Sequence, residues 1–494
     1  VKTQQTKTLE DYFSTFRDLI IGRNAEFVTP YGPQKLLYAD WTASGRLYEP
    51  IERRISYEIG RFVGNTHTET SVTGRAMTKS YHHAKQIIKR HVNALESDVL
   101  ISSNSGMTGV VNKFQRILGL KLHERFRAMI DLPKEDRPVI FVTHMEHHSN
   151  QTSWIETVAD VYVIGATPEG RVDLDDLRRL IARFPNRTKI AAVTSCSNVT
   201  GIITPYHEIA RIMHENEGLC FVDFACSAPY IKIDMNPPDP MKRLDAIYFS
   251  PHKFLGGPGS AGVLIFKAAL YKNRVPDNPG GGTVNWTNPW GEHSYIEEIE
   301  AREDGGTPSF LQTMRTALSI KLKEEMGIEN ILRRERELLD IIWPRMKAIP
   351  KLHLLADHIP ERLGVLSFYF EHIHYNLAVK ILNDRFGIQT RGGCSCAGTY
   401  GHYLLEVSYQ KSKRIVESIS HGDLSQKPGW VRLSIHPTMT NEEMHYIADA
   451  LEALSANIDE WGRDYVYDPH KNEFFHVSGA TTEDDLVRRW YRDI

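Results

Sequence analysis

Ser250-Pro251-His252-Lys253 sets a hydroxyl, an imidazole and an amine side by side. The strand-like run Ala246-Ile247-Tyr248-Phe249 precedes them, and a glycine-rich turn, Leu255-Gly256-Gly257-Pro258-Gly259, follows. A lysine on so short a connection can be both buried and aimed. Desolvation favours its neutral, nucleophilic form, which condenses with an aldehyde to a Schiff base. Ser250 and His252 flank it as phosphate ligands, and the combination suggests pyridoxal 5′-phosphate (PLP). Taken alone, the same residues also describe a surface lysine in a polar loop.

Asp223 closes the apolar run Leu219-Cys220-Phe221-Val222. A carboxylate at the C-terminal end of a parallel strand faces the crevice where ligands bind. Paired with a pyridinium nitrogen, it keeps the ring an electron sink; it serves equally as the N-cap of a following helix. Gly106-Met107-Thr108-Gly109 follows the run Val99–Ser102 and opens a helix through Val111, Phe114 and Ile117. Backbone N–H groups there suit a phosphate, although the spacing is neither the Walker nor the dinucleotide pattern. In Glu146-His147-His148-Ser149-Asn150 neighbouring side chains point opposite ways and H-E-x-x-H is absent, so no metal is expected. One imidazole stacked on an aromatic ring, or acting as acid and base, suits the segment, while His148 reads as structural.

Two thiols stand in Gly392-Gly393-Cys394-Ser395-Cys396-Ala397-Gly398. C-x-C makes a poor disulfide and an incomplete metal site. A nucleophilic thiol on an accessible loop is the sharper reading, and it needs a cation such as Arg391 to favour the thiolate; an inert glycine-rich turn is the alternative. Arg432, inside the apolar run Val431–Ile435, needs an anionic partner. A substrate carboxylate and a protein carboxylate answer equally well.

The elements that must position these groups alternate. Strands are predicted at Val99–Ser102, Val139–Thr143, Val161–Ile164, Ile190–Thr194, Leu219–Phe224, Ala246–Phe249 and Gly262–Phe266, with helices such as Asp175–Arg183 and Tyr206–Glu217 between them. This βαβ pattern predicts an α/β fold with a mostly parallel sheet covered on both faces. A helical region from Pro308 to about Met346 follows. An α+β module comes next: strand Gly364–Phe370, helix Leu377–Phe386, strand Trp430–Ile435, and helix Asn441–Ala456 capped by Thr440 or Asn441. The domains are therefore read as an arm over 1–35, a large PLP-binding domain over 36–310, and a small C-terminal domain over 311–494 whose extra tail is 457–494.

A chain of 494 residues with 59 basic and 62 acidic side chains has a net charge of −3, both signs interspersed. That excludes nucleic acid and acidic membranes as expected partners. No apolar run approaches the roughly 18 residues of a membrane span, and Val1-Lys2-Thr3-Gln4-Gln5 lacks the apolar core of a signal peptide. Five cysteines are too few for a disulfide framework, so a reducing cytoplasm is expected.

Together the motifs resemble the class V aminotransferase family of fold type I PLP enzymes, nearest the cysteine desulfurases and selenocysteine lyases, from about Tyr38 to Leu454. The resemblance implies a seven-stranded large domain and a smaller C-terminal one. Tyr38–Ser44, with Ala43, is similar to the family's early substrate-side segment. Met107 and Thr108 fall in its phosphate turn, and His147 where the stacking imidazole lies. Asn198 falls where a side chain approaches the cofactor's phenolic oxygen and the substrate. Asp223 takes the pyridinium role, Lys253 the Schiff-base role, and Ser250 and His252 the phosphate. Thr307, in Gly305-Gly306-Thr307-Pro308, falls where the neighbouring subunit's phosphate is reached, which implies a homodimer with shared sites. Cys396 takes the persulfide-forming role, with Cys394 as a second thiol, and Arg432 holds the substrate carboxylate. Two departures stand out. Cys394-Ser395 replaces the usual histidines before the nucleophile, a pattern more like the molybdenum-cofactor sulfurases, and Cys226 replaces a usual Gln or His. The implied reaction removes sulfur or selenium from L-cysteine or selenocysteine and passes it to an acceptor protein. The alternative is another class V reaction: epimerisation, transamination or β-elimination.

Overall fold

The computed structural model describes residues 8–103, 106–127, 129–130, 132–479 and 483–492. Residues 1–7 of the expected arm, and 480–482 and 493–494 of the tail, lie outside the described residues. The seven predicted runs form one sheet: β1 (Val99–Ser103), β2 (Val139–Thr143), β3 (Asp160–Ile164), β4 (Lys189–Thr194), β5 (Leu219–Asp223), β6 (Ala246–Phe249) and β7 (Gly262–Phe266). Their order is β1-β7-β6-β5-β4-β2-β3. The five strands β3, β2, β4, β5 and β6 run parallel, and β7 is antiparallel to both β1 and β6. Every residue of β2, β4 and β7 is buried, which is why these strands read as continuous apolar runs rather than as alternation. Phe114, from the helix Met107–Ile117, packs edge-on against Phe221 of β5, with ring centroids 5.1 Å apart. Thr194 pairs with Asp223, and Asp223 with Tyr248, so the ends of three parallel strands lie level. Asp223 and the Ser250–Lys253 loop therefore emerge at one carboxyl edge of the sheet.

The chain divides into two compact units. The larger comprises residues 44–197 and 202–328; the smaller comprises the described residues up to 43, 198–201 and those from 329 onward. The helical region expected as one stretch is two helices, Phe310–Met326 and Ile328–Ala348, separated at Gly327, whose φ of 75° ends the first. The smaller unit has a four-stranded antiparallel sheet, β8 (Leu352–Leu354), β9 (Val365–Phe370), β10 (Arg391–Gly393) and β11 (Trp430–Ser434), in the order β8-β9-β11-β10. Helices Tyr375–Phe386 and Asn441–Trp461 pack against each other. Within this unit Arg334, almost wholly buried, faces Glu10 at 3.4 Å and donates to the Met439 carbonyl at 3.0 Å. The tail holds a hairpin, β12 (Tyr465–Asp468) and β13 (Glu473–His476). Among the described residues no helix is long and apolar enough to cross a membrane.

Thr440 and Glu443 form a reciprocal capping box at the start of Asn441–Trp461. Thr440→Ala is expected to lower unfolding free energy by about 1 kcal/mol, measured by urea denaturation.

Candidate active site

In the larger unit, Asp223 is buried at the end of β5. Its carboxylate accepts the Ala225 N–H at 2.8 Å, and turns rather than a helix follow, so it is not a helix N-cap. Burial pushes its pKa from 3.8 up to about 6, against the pull of the Lys253 charge. Lys323 anchors the turn after it by donating to the carbonyls of Ala228 at 2.7 Å and Ile231 at 2.5 Å. Lys253 is half-buried on a single 3-10 turn, Pro251–Lys253. A Cβ at Gly257 would fall 1.9 Å from the Pro251 carbonyl oxygen, so only glycine lets the chain fold back against that turn. Burial, and then the charge of Lys253, hold His252 down from 6.5 to about 4, which leaves a neutral ring at neutral pH.

Ser250 Oγ accepts the Met107 N–H at 2.9 Å, joining the lysine loop to the start of Met107–Ile117. Among the described residues no N-cap side chain closes that helix at Gly106, and Thr108 Oγ1 lies 2.7 Å from Ser149 Oγ. His147 N-caps the helix His148–Ile155: its Nδ1 accepts the Ser149 N–H at 3.1 Å, so the neutral ring carries its proton on Nε2. Next to it, Glu146 is wholly buried. It accepts from Thr143 N–H and Oγ1, Thr194 N–H and Asn150 Nδ2 at 2.6–3.1 Å, yet burial still pushes it up to about 7. The sequence motif gives Glu146 no role; its observed work is to tie the His147 segment to β2 and β4. The Cys226 thiol, also buried, donates to the Ser197 carbonyl at 3.6 Å. Thr307 is exposed after Gly306 (φ 81°). The residues before it are fastened by Lys85 to Asp304 at 3.0 Å and Lys113 to Glu303 at 2.8 Å.

The smaller unit carries a second set. Arg432 on β11 is 3% exposed. Its Nη2 donates to Asp40 Oδ1 at 2.9 Å and its Nη1 to the Asn198 carbonyl at 3.2 Å. The other Asp40 oxygen accepts Arg391 Nε at 3.1 Å. One carboxylate thus serves two guanidiniums, and Asp40, inside the Tyr38–Ser44 segment, is a protein partner of Arg432. Asn198 donates through Nδ2 to the Ser395 carbonyl at 2.7 Å, and its buried Oδ1 has no partner among the described residues. Ala43 closes a turn onto the Asp40 carbonyl at 3.0 Å. Cys394 is half-buried and Cys396 exposed, both free thiols. Their loop is a defined turn, closed by the Ala397 N–H on the Cys394 carbonyl at 2.9 Å. Ser395 and Cys396 have φ of 51° and 55°, a left-handed conformation that costs non-glycine residues about 1–2 kcal/mol each.

A model of the family described as aminotransferase class-V matches residues 37–447. The chain belongs to this family. The class-V family is one of PLP-dependent enzymes. Curated relatives include a protein of Halalkalibacterium halodurans named probable cysteine desulfurase, 28% identical over 366 residues, covering 73% of this chain and 84% of the relative. A Staphylococcus epidermidis protein of the same name is 29% identical over 369 residues, covering 74% and 84%. The apo structure of a cysteine desulfurase from Thermococcus onnurineus NA1 is similar with a TM-score of 0.70 at 21% identity, covering 85% of this chain and 95% of that one. The cysteine desulfurase CsdA of Escherichia coli, in its S-sulfonic acid form, also gives 0.70, at 20% identity, covering 92% and 100%. These structures bear out the α/β fold of the class-V enzymes.

The raised pKa of Asp223 makes a prediction for the cofactor-free protein. Its folded pKa exceeds the unfolded value, so its contribution to stability is whole below 3.8 and is lost as pH rises through about 6. Asp223→Asn keeps an acceptor for Ala225 and removes the buried charge. The variant is expected to be more stable than the parent at pH 8, by about 1–3 kcal/mol. The difference should vanish below pH 4, in denaturant titrations across pH.

Proposed function

We propose that the protein is a PLP-dependent cysteine desulfurase-like enzyme, taking sulfur from L-cysteine, or selenium from L-selenocysteine, and leaving alanine and a persulfide on Cys396. The observation that carries this reading is an exposed thiol held on a left-handed turn, in a family whose cofactor chemistry needs no thiol of its own. The names of the relatives point the same way.

The residues of the larger unit suit the cofactor. A buried carboxylate with a raised pKa gains from a cationic partner, and a protonated ring nitrogen over Asp223 is such a partner. Ser250, His252, Met107 and Thr108 would hold the phosphate, helped by Thr307 from a second copy of the chain in a homodimer with shared sites. His147, Cys226 and Asn198 would hold the ring. When bound, PLP supplies an electron sink for the substrate's α-carbon. Lys253 Nζ is the base that takes the α-proton and returns it. His147, with its proton on Nε2, is the acid and base beside the ring. Arg432 orients the substrate carboxylate together with Asn198 and Ala43, and Asp40 holds its planar guanidinium in place. Cys396 Sγ attacks the substrate sulfur: the carbon–sulfur bond breaks, a sulfur–sulfur bond forms, and the carbon gains the proton that the thiol gives up. The persulfide then passes to an acceptor protein. Five free thiols, one of them exposed, are best preserved in a reducing compartment, which favours the cytoplasm.

Incubation of the PLP-loaded protein with L-cysteine should give alanine and, with a reductant, sulfide in equal amounts. Cys396→Ser should lose both by 100-fold or more, while Cys394→Ser keeps most of the rate. Equal rates for Cys396→Ser and the parent would overturn the nucleophile. A D-amino acid, a keto acid or pyruvate as the product would instead assign epimerisation, transamination or β-elimination.

A further inference from the structure

The family match ends at residue 447, yet the hairpin β12–β13 beyond it is well built and bonded to the smaller unit. Asn472, at its turn (φ 57°), makes three bonds. Its Oδ1 accepts from Tyr467 OH at 2.9 Å, its Nδ2 donates to Tyr375 OH at 2.9 Å, and its carbonyl accepts from Asn376 Nδ2 at 2.6 Å. The last two hold the start of the helix Tyr375–Phe386. His374 caps that helix on the Asn376 N–H at 3.1 Å, and its ring lies against Tyr467 and Phe474 of the hairpin, with centroids 5.0 and 5.4 Å away.

From there the contacts lead to the thiols. The Tyr375 ring packs close against the backbone: a Cβ at Gly429 would fall 2.5 Å from it, and one at Gly392 would fall 2.0 Å from Asn376 Oδ1. Gly392 and Gly393 are the residues of β10 that pair with Val431 and Trp430, and Cys394 is the next residue. Burial raises the pKa of the Tyr375 phenol, so it stays protonated and neutral beside this backbone. Its oxygen accepts from Asn472, which turns the phenol's own proton elsewhere. The turn that follows needs such support, because Ser395 and Cys396 are both left-handed and persist only where their surroundings over-determine them.

We propose that the β12–β13 hairpin is a brace for the thiol turn, with Asn472 and Tyr375 as positioning residues that act through Gly392 on Cys394-Ser395-Cys396. The catalytic consequence rests on the reading of Cys396 as the sulfur carrier; the mechanical one does not. Two variants of the full-length, PLP-loaded protein test it. Asn472→Gly keeps the positive φ and the carbonyl bond but removes the amide, and Tyr375→Phe keeps the ring but removes the hydroxyl. Hydrogen exchange by mass spectrometry is expected to be at least about fivefold faster over 391–397 in both variants, with peptides of β4 to β6 unchanged. The kcat for alanine formation from cysteine should fall about tenfold with KM unchanged. Exchange over 391–397 equal to the parent's in both variants would overturn the brace. A parent protein that forms no alanine from cysteine would overturn the desulfurase reading, and the exchange comparison would still decide the brace.

Discussion

Placing a carboxylate in the middle of a parallel sheet is the constraint around which the larger unit is organised. Asp223 is buried where β4, β5 and β6 end level, with the Ala225 N–H and the charge of Lys253 as its relief. Its raised pKa measures how poorly that relief compensates for lost water. The same edge must therefore supply a cation or bind one, and the next strand's loop brings the lysine. Gly257 folds back on Pro251 and Lys323 pins the turn past Asp223, so the two groups are held by backbone as much as by each other.

The smaller unit solves a different problem. Its charges are in surplus rather than in deficit: Asp40 divides itself between Arg391 and Arg432. A buried arginine whose carboxylate partner is shared is costly unless a second anion completes it, and a small carboxylate is the kind of ligand that would. The thiols sit instead at the surface, and their restraint is conformational. Where the larger unit fixes Lys253 on a single 3-10 turn, the smaller one fixes Cys396 by backbone torsion.

The large sheet was legible because its strands are buried on both faces, and a run such as Val139–Thr143 carries that burial in composition alone. Asp223 and Lys253 were legible for a local reason, each standing where an apolar run stops. Partners far apart in sequence were not. Arg432 and Asp40 are separated by 392 positions, and nothing in either segment announces the other. Asn198–Gly201 reads as a loop of the large sheet, yet Ser367 Oγ reaches the Val199 carbonyl at 2.6 Å and the Leu363 N–H reaches that of Gly201 at 2.9 Å, within the smaller unit. The hairpin β12–β13 had a faint trace in Tyr465-Val466-Tyr467 and Phe474-Phe475-His476, but two short half-exposed strands carry little apolar pattern of their own.

Arg334 meets Glu10 only after the ribosome has delivered more than three hundred residues between them. The smaller unit takes chain from both sides of the larger one, so its first segments leave the exit tunnel with nothing to join. Residues 44–328 carry the seven-stranded sheet and, apart from the insertion 198–201, are continuous, so that unit can close on itself while synthesis proceeds. The order of birth then favours the half with the lysine, and the half with the thiols is finished last.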